Sequence, residues 1–294
     1  MSNTVLFGNG LNRVSNSSIS WDELLNQIKA DQPFSDASLP NTMVYERIFM
    51  EKNSLSKAGT SEELRIKTRI AEAMLTQESN ELYTEIIDLG FDNYITTNYD
   101  YAFEKAIGCN PELLSTEGIY SLRRKRAYKF DNRDIKLWNI HGEIDHPKSI
   151  MLGLDHYCGS VSKLDAYVKG RYSFTESGKK VAVSSMNNKL KNQQFCNTSW
   201  ADLFFSSNVH IIGLSLDYSE TDLWWVLNKR ARMIANHSID NKVFFYTNAI
   251  DDEKRGLLES FSVKVVIKPV IGSDYYGMYS SIINGISSKK YINN

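Results

Sequence analysis

A histidine that directly follows a predicted buried strand is the residue of this sequence best suited to chemistry. His141 lies in residues 139–143 (Asn-Ile-His-Gly-Glu), after the apolar run 135–138. An imidazole can take a proton from a hydroxyl near neutral pH, and Gly142 beside it allows a ligand to approach closely. We therefore interpret His141 as a general base, and a structural histidine is the alternative.

Amide and carboxylate groups follow a second strand-like run. Residues 96–100 (Thr-Thr-Asn-Tyr-Asp) come directly after residues 93–95, and such side chains at a strand end can hold an amide, a sugar hydroxyl or a water. We predict that Asn98 is a functional residue. Asp100 is also predicted to bind ligand, with the N-cap of the following helix as its alternative.

Two glycines, Gly8 and Gly10, follow the first strand-like run, residues 4–7. Glycines at this place let the backbone turn tightly and come close to a pyrophosphate. The third glycine of the usual dinucleotide-binding pattern is replaced by Arg13. An ordinary strand–helix turn is therefore the alternative.

Two further strand ends carry groups that suit a phosphorylated ligand. Gly213 and Ser215 follow the run 209–212 and precede a predicted helix, and a glycine and a hydroxyl ahead of a helix N-terminus suit phosphate oxygens. Asn248 follows the run 243–246 and is interpreted as a ribose-binding residue. A plain turn is the alternative in both cases.

These five strand ends predict one polar crevice along one edge of one sheet. Open α/β sheets bind ligands at the carboxyl ends of their strands. The alternation of strand and helix patterns predicts an α/β fold with a doubly wound parallel sheet. We expect one domain over residues 1–294, with a mostly helical insertion at about 14–90 and a second insertion at about 150–200.

Capping patterns and apolar spacing predict the other elements. A serine followed three residues later by an acidic residue predicts helix starts at Ser20 (with Glu23) and at Ser219 (with Asp222). The remaining predicted elements are helices near 43–50, 62–75, 81–89, 102–107 and 253–261, a short strand or hairpin within 110–132, and a last strand at 263–267.

The charge balance, 34 basic against 35 acidic residues, gives no reason to expect nucleic acid or an anionic membrane as a partner. The basic run 123–126 is interpreted as a solvated strand or hairpin face, with contact to nucleic acid or an acidic partner as the alternative. Apolar runs of strand length predict no transmembrane helix. The N-terminus begins a strand almost at once, which does not favour a signal peptide.

The three cysteines, Cys109, Cys158 and Cys196, form no Cys-x-x-Cys pair, so we expect no thiolate zinc site. Their sparse, odd number fits a reducing compartment and predicts a cytoplasmic protein. Each is interpreted as a small buried or half-buried apolar residue. The other histidines show no metal-ligand spacing and are interpreted as structural or surface residues: His146, His156, His210 and His237.

Taken in order, the five strand ends resemble the motifs of the sirtuin-like NAD-binding fold. Residues 8–12 are similar to the sirtuin Gly-Ala-Gly-x-Ser turn, 97–100 to Gln-Asn-x-Asp, 141–142 to the catalytic His-Gly and 213–216 to Gly-Thr-Ser-Leu, and Asn248 falls where sirtuins end a strand in a ribose-binding Asn. The motifs are colinear over about 240 residues. Residues 20–25 and 213–217 look most like the bacterial sirtuin-like domains of antiphage defence systems, which hydrolyse NAD.

The resemblance implies a Rossmann-type NAD glycohydrolase that releases nicotinamide and ADP-ribose, with NAD as substrate and no metal. It implies that His141 is the general base, that Asn98 positions water or the nicotinamide ribose, and that Asp100 binds the carboxamide. Further NAD-binding positions that it implies are Gly8, Gly10 and Ser215 at the pyrophosphate, Asn248 at the adenosine ribose, and Asn12 and Gly213.

Two sirtuin features are missing from this chain, and they define the alternatives. Sirtuin deacylases carry two Cys-x-x-Cys pairs for zinc, so we expect no zinc module, which disfavours a protein deacylase. The Pro-Asp-Phe-Arg run after the glycine turn is also missing, and the sequence leaves open whether Arg13 replaces its arginine. A non-catalytic NAD- or ADP-ribose-binding subunit of a larger complex is the other alternative.

The resemblance also implies regulation. Unrestrained loss of NAD would harm the host, so we expect the isolated chain to be inactive. We expect activation by homo-oligomerisation, by a separate sensor protein, or by both, because no second sensor domain is evident in the sequence.

Overall fold

The computed structural model describes most of the chain. The described residues are 1–15, 18–29, 32, 34–36, 38–56, 60–108, 112–115, 118–236 and 239–288, without the side chains of 52–56, 60, 61 and 113–115. Cys109 and His237, which the sequence interpretation named, lie outside them.

In the described part of the chain, eight strands form one mixed sheet and two more form a separate hairpin. The sheet strands are β1 (Ser2–Phe7), β2 (Asn93–Thr96), β3 (Glu112–Ser115), β4 (Lys125–Phe130), β5 (Arg133–Asn139), β8 (Ser207–Ile212), β9 (Val243–Thr247) and β10 (Val263–Ile267), and the hairpin strands are β6 (Ser173–Glu176) and β7 (Lys179–Ala182). Their order in the sheet is β10-β9-β8-β1-β2-β5-β4-β3.

The strands from β10 to β5 run parallel, whereas β4 and β3 add an antiparallel edge. This confirms the predicted α/β fold with a doubly wound parallel sheet. The chain passes from β1 to β2 and β5 on one side, and β8, β9 and β10 lie on the other side. The order in which the chain adds strands to the sheet therefore reverses at β1. Open α/β sheets have their ligand crevice at such a point.

The helices connect and cover these strands. Their bounds are α1 (Trp21–Lys29), α2 (Asn41–Ser56), α3 (Thr60–Met74), α4 (Glu81–Asp88), α5 (Ala102–Ile107), α6 (Leu154–Val168), α7 (Met186–Asn192), α8 (Trp200–Ser206), α9 (Thr221–Ile234), α10 (Asp252–Ser260) and α11 (Tyr275–Ser287). Helices α1–α4 fill the predicted insertion between β1 and β2, and α6–α8 with the hairpin lie between β5 and β8.

Both faces of the sheet are buried, as parallel sheets require. Side chains alternate along β1, so that Leu6 packs into a core with α8 and α9, whereas Val5 and Phe7 pack into a second core with α4, α5 and α11. All six residues of β8 are buried. The strand ends are thereby held on a rigid frame.

A third apolar cluster attaches the α1–α3 insertion to the sheet edge that carries the predicted site. Leu24, Ile48 and Ile70 pack there with Tyr99, which follows β2, and with Leu152, which follows β5. The ring of Trp21 meets Tyr99 edge-on at 5.5 Å. The insertion therefore lies against the carboxyl ends of the strands.

The first predicted capping box forms and explains where α1 begins. Ser20 N donates to Glu23 Oε2 over 2.6 Å, and Glu23 N donates to Ser20 Oγ over 3.2 Å. The helix at the C-terminal end, α11, was not predicted. Its apolar spacing at Met278, Ile282 and Ile286 is helical, but two glycines interrupt the pattern.

Two sequence interpretations are wrong. The basic run is not simply a solvated face, because Arg124 and Arg126 are buried and Arg126 Nε donates to the buried Glu143 over 2.8 Å. Cys158 and Cys196 are exposed, not buried. The residues next to these arginines and cysteines in the sequence do not indicate whether they are buried. The burial of the arginines depends on Glu143, which lies on another segment.

Candidate active site

The loops after β1 and β8 meet closely at the centre of the sheet edge. Gly10 N donates to Gly213 O over 2.7 Å, and Gly8 N donates to Ile212 O over 3.2 Å. A Cβ atom on Gly10 would lie 2.7 Å from Gly213 O and 2.6 Å from Tyr279 Oη. The glycine at position 10 is therefore required for the packing of the two loops, whatever ligand they bind.

A cavity of about 550 Å³ opens beside these loops. Four of the predicted site residues line it: Gly10, Gly213, Ser215 and Asn248. Five aromatic residues also line it: Trp21, Tyr157, Phe245, Tyr246 and Tyr279. A cavity of this size with aromatic walls and a few polar groups is typical of a small-molecule site.

His141 is held by a carboxylate that the sequence interpretation did not assign to the site. The ring lies just past β5 and is 2% exposed. Its Nε2 is 3.1 Å from Asp222 Oδ2 and 3.3 Å from Oδ1, and Tyr157 packs edge-on against it at 5.2 Å. Because Nε2 faces the carboxylate, Nδ1 is the nitrogen left to accept a proton.

The charge environment of His141 favours its protonated form. Burial lowers the pKa of His141, but the charge and the hydrogen bond of Asp222 outweigh it, so that the pKa is raised above its usual value. Asp222 is itself fixed, because Leu223 N donates to Oδ1 over 2.8 Å and Ser160 Oγ donates to Oδ2 over 3.2 Å. The pair is thus a rigid acid–base couple.

Gly142 lets the chain turn back beside this couple. Its φ of +109° is disfavoured for other residues, and a Cβ atom there would lie 2.5 Å from Ser149 O. The close approach that the glycine permits is made by the backbone at Ser149. The prediction that Gly142 admits a ligand is therefore not needed to explain this residue.

The second predicted capping box does not form. Ser219 Oγ donates to Asp217 Oδ1 over 2.6 Å, and α9 begins at Thr221. The carboxylate of Asp222, expected to cap the helix, instead contacts His141. The acidic residues at this helix start are the sequence signal for the site, but in the sequence alone they match a capping pattern.

Glu220 precedes α9 and lines the cavity. Its side chain makes no helix-capping hydrogen bond, and its Oε2 is shielded from solvent without a hydrogen-bond partner. Burial raises the pKa of Glu220 to about 7, with Asp222 and Asp217 acting in the same direction and His141 opposing them. Sequence reasoning missed this residue as well.

Three other predicted residues form a separate buried network. Asn12 Nδ2 donates to Asp100 Oδ2 over 2.8 Å, and Tyr83 Oη donates to Asn12 Oδ1 over 2.5 Å. Asn98 Nδ2 donates to Tyr83 Oη over 3.5 Å. Asn12, Asn98 and Asp100 are thus brought together, but they and Gly8 are not among the residues that line the cavity.

Asp100 has a structural role close to its predicted alternative, although Tyr101 and not Asp100 is the N-cap residue of α5. Its Oδ1 accepts a hydrogen bond from Ala102 N over 2.9 Å at the start of α5. Burial raises the pKa of this carboxyl above its usual value. Asp100 therefore links the helix start to the loop after β1, and its predicted contact with a carboxamide stays a prediction.

Two of the other histidines have structural roles, as predicted. His156 Nδ1 accepts from Leu152 N and Gly153 N over 3.0 Å each. His210 stacks on Phe244 at 5.0 Å, and burial lowers its pKa to about 4. Among the described residues, no group of three or more His, Cys, Asp or Glu side chains is placed to hold a metal ion.

Comparison with known proteins adds to this geometry. The family model of the SIR2-like domain matches residues 92–266, more than half of the chain. The chain belongs to the SIR2-like family. Of the predicted residues, Asn98, Asp100, His141, Gly213, Ser215 and Asn248 lie inside the matched segment of this SIR2-like chain, whereas Gly8, Gly10 and Asn12 precede it.

Two curated relatives of this SIR2-like chain carry the name NAD(+) hydrolase ThsA. The protein of Bacillus cereus (strain MSX-D12) is 28% identical over 156 residues, which are 51% of this chain and 30% of the relative. That of Cytobacillus dafuensis is 26% identical over 159 residues, 53% of this chain and 29% of the relative. The matched part of the chain thus spans less than a third of each relative.

No helix in the described parts of the chain is long and apolar enough to cross a membrane.

Proposed function

We propose that this chain is an NAD glycohydrolase, which cleaves NAD to nicotinamide and ADP-ribose. The observation that carries the proposal is the His141–Asp222 couple beside a cavity of about 550 Å³ at the junction of the β1 and β8 loops. The SIR2-like family and the printed names of the two relatives support it.

The reaction breaks the bond between the nicotinamide nitrogen and C1′ of its ribose. Nicotinamide takes the bonding electrons and leaves as a neutral base, so that positive charge develops on the ribose. A water then adds to C1′ and loses a proton. We assign the proton to His141 Nδ1, with Asp222 holding the ring in place and stabilising the imidazolium.

The remaining residues would hold NAD in place. Gly10, Gly213 and Ser215 line the cavity where the two central loops meet and are proposed to bind the pyrophosphate. Asn248, which also lines the cavity, is proposed to bind the adenosine ribose. We keep the predicted role of Asn98 in positioning water or the nicotinamide ribose, which its buried network would hold rigid.

The proposal is tested by incubating the purified chain with NAD and measuring nicotinamide and ADP-ribose by chromatography. His141→Ala should reduce turnover by at least about 10²-fold, the usual minimum for loss of a general base. His146→Ala is the matched control, because that imidazole is exposed and lies a few residues away. Binding of NAD without cleavage, even at high protein concentration and with an added sensor protein, would contradict the proposal and favour a non-catalytic nucleotide-binding subunit.

We further propose that this activity depletes NAD in an antiphage defence response. The support is the likeness of residues 20–25 and 213–217 to bacterial defence domains. Cells that express the chain should lose NAD after phage challenge, whereas cells that express His141→Ala should keep it. Equal NAD levels in the two strains after challenge would contradict this role.

A further inference from the structure

One member of the acid–base cluster at the start of α9 faces the cavity directly. Glu220 lines it, whereas His141 and Asp222 are not among the lining residues. Tyr157, whose ring packs against His141, lines the same wall. Two lining residues therefore connect the cavity to the histidine on which the proposed chemistry depends: Tyr157 by ring contact and Glu220 through its charge.

The carboxyl group of Glu220 is only partly hydrogen-bonded in the described structure: the backbone of Asp217 donates to it, but one of its oxygens lacks a partner. It does not cap α9, and its Oε2 has neither a hydrogen-bond partner nor contact with solvent. Shielding a carboxylate oxygen without a partner is costly. Because the Glu220 side chain lines the cavity, rotation of its carboxyl group towards a bound ligand would give this oxygen the contact that it lacks.

The charged and titratable groups around Glu220 come from several elements. Asp222 and Asp217 disfavour its ionisation, and His141 favours it. Lys254 on α10 lies within its electrostatic reach, as do Tyr99 after β2 and Tyr157 on α6. A pKa of about 7 follows from burial first and from these charges second.

We propose that Glu220 is a catalytic residue whose carboxylate contacts the cationic nicotinamide riboside half of NAD and stabilises the positive charge that moves to C1′. This rests on the proposed function. As the bond from nitrogen to C1′ breaks, its electron pair neutralises the nicotinamide ring, and the charge passes to the ribose. A carboxylate placed there before the reaction stabilises the developing cation without reorganisation. His141 then takes the proton of the attacking water.

The first test compares turnover of wild type, Glu220→Gln and Glu253→Gln. Glutamine keeps the shape and removes the charge. We expect Glu220→Gln to lower kcat by about 10²-fold with a much smaller change in KM, as for loss of one preorganised electrostatic contact. Glu253→Gln, on the exposed side of α10, should behave as wild type.

The pH profile of kcat supplies a readout that a structural role would not change. The ionised carboxylate is the active form, so wild-type kcat should rise as pH passes through the region of about 7 in which Glu220 ionises. His141 must also lose its proton to act as the base, so wild type should show two coupled ionisations and the residual activity of Glu220→Gln only one. A wild-type profile retained in Glu220→Gln, or an unchanged kcat, would overturn the assignment of Glu220 alone.

A binding measurement separates this inference from the proposed function. Carba-NAD keeps the pyridinium charge but is not cleaved, whereas NADH is uncharged at the nicotinamide ring. At pH 8 wild type should bind carba-NAD about tenfold more tightly than NADH, and Glu220→Gln should lose this preference. The inference is overturned if wild type and Glu220→Gln show the same preference for carba-NAD over NADH. A charge preference that depends on Glu220, without NAD cleavage by wild type, would instead contradict the hydrolase and keep Glu220 as a ligand contact.

Discussion

At the scale of single residues, the account depends on how a few buried groups share protons. His141 and Asp222 are 81 positions apart in the sequence and meet with Nε2 and Oδ2 3.1 Å apart. Glu220, two residues before Asp222, lines the cavity, whereas His141 and Asp222 do not. Because these groups interact closely, their titrations are coupled, and the cluster as a whole determines the pH dependence of activity.

Removing the charge of Asp222 should change both the protonation of His141 and the rate. In Asp222→Asn burial still lowers the pKa of the imidazole and only the charge of Glu220 remains to raise it, so the pKa of His141 should fall below that in wild type. Turnover should fall by roughly 10²-fold or more, because the imidazolium that forms on His141 loses the carboxylate that stabilises it. An NMR titration of the His141 ring measures the first effect, and an unaltered pKa would refute the proposed coupling.

The carboxyl group of Glu220 should lower the unfolding free energy of the protein above neutral pH. The folded protein raises the pKa of this carboxyl to about 7, whereas the unfolded chain ionises it near 4.3. Stability is therefore lost as pH rises from about 4.3 to about 7. The difference in unfolding free energy between Glu220→Gln and wild type should be about 2 kcal/mol larger at pH 8 than at pH 5, in favour of the variant. Denaturant titrations at both pH values measure this, and an equal difference at both would contradict it.

At the scale of elements, the two central loops depend on glycine. Gly10→Ala places a Cβ atom 2.7 Å from Gly213 O, so it should lower the unfolding free energy by about 1–3 kcal/mol and weaken NAD binding. Gly256→Ala is the matched control, because nothing lies within 4 Å of its added Cβ atom. In the helical setting of α10 it should add about 0.5–1 kcal/mol. Gly10→Ala as stable as wild type would disprove the packing argument.

The elements were predictable wherever the signal is local. Strand runs, the capping box at Ser20 and the helix at 102–107 depend on neighbouring residues, and the structure confirms them. Contacts over long separations were not predictable. Asp222 matched a capping pattern in the sequence, and only the fold shows that its carboxylate turns to His141 instead. Likewise, the burial of Arg126 depends on Glu143 on another segment.

At the scale of the whole molecule, the carboxyl ends of the parallel strands lie along one edge of the sheet, and the α1–α3 insertion packs against this edge. The insertion brings Ser20 and Trp21 to the cavity wall, and its apolar cluster includes Tyr99 beside the predicted Asn98 and Asp100. A movement of these helices would therefore change the cavity. This gives a physical route by which assembly or a partner protein could control the site.

We predict that turnover is restrained in the isolated chain. NAD cleavage per chain should rise with protein concentration, as homo-oligomers form, or on addition of a sensor protein. Turnover measured over a concentration series, beside sedimentation on the same samples, tests this. Full turnover by dilute monomer without a partner would rule it out.

The most direct test of the central claim is the release of nicotinamide from NAD by wild type and His141→Ala under the same activating conditions. The account predicts that wild type releases nicotinamide and ADP-ribose in equal amounts and that the variant, folded and able to bind NAD, is at least about 10²-fold slower. Equal rates in the two proteins would contradict the claim that the His141–Asp222 couple beside this cavity performs the reaction.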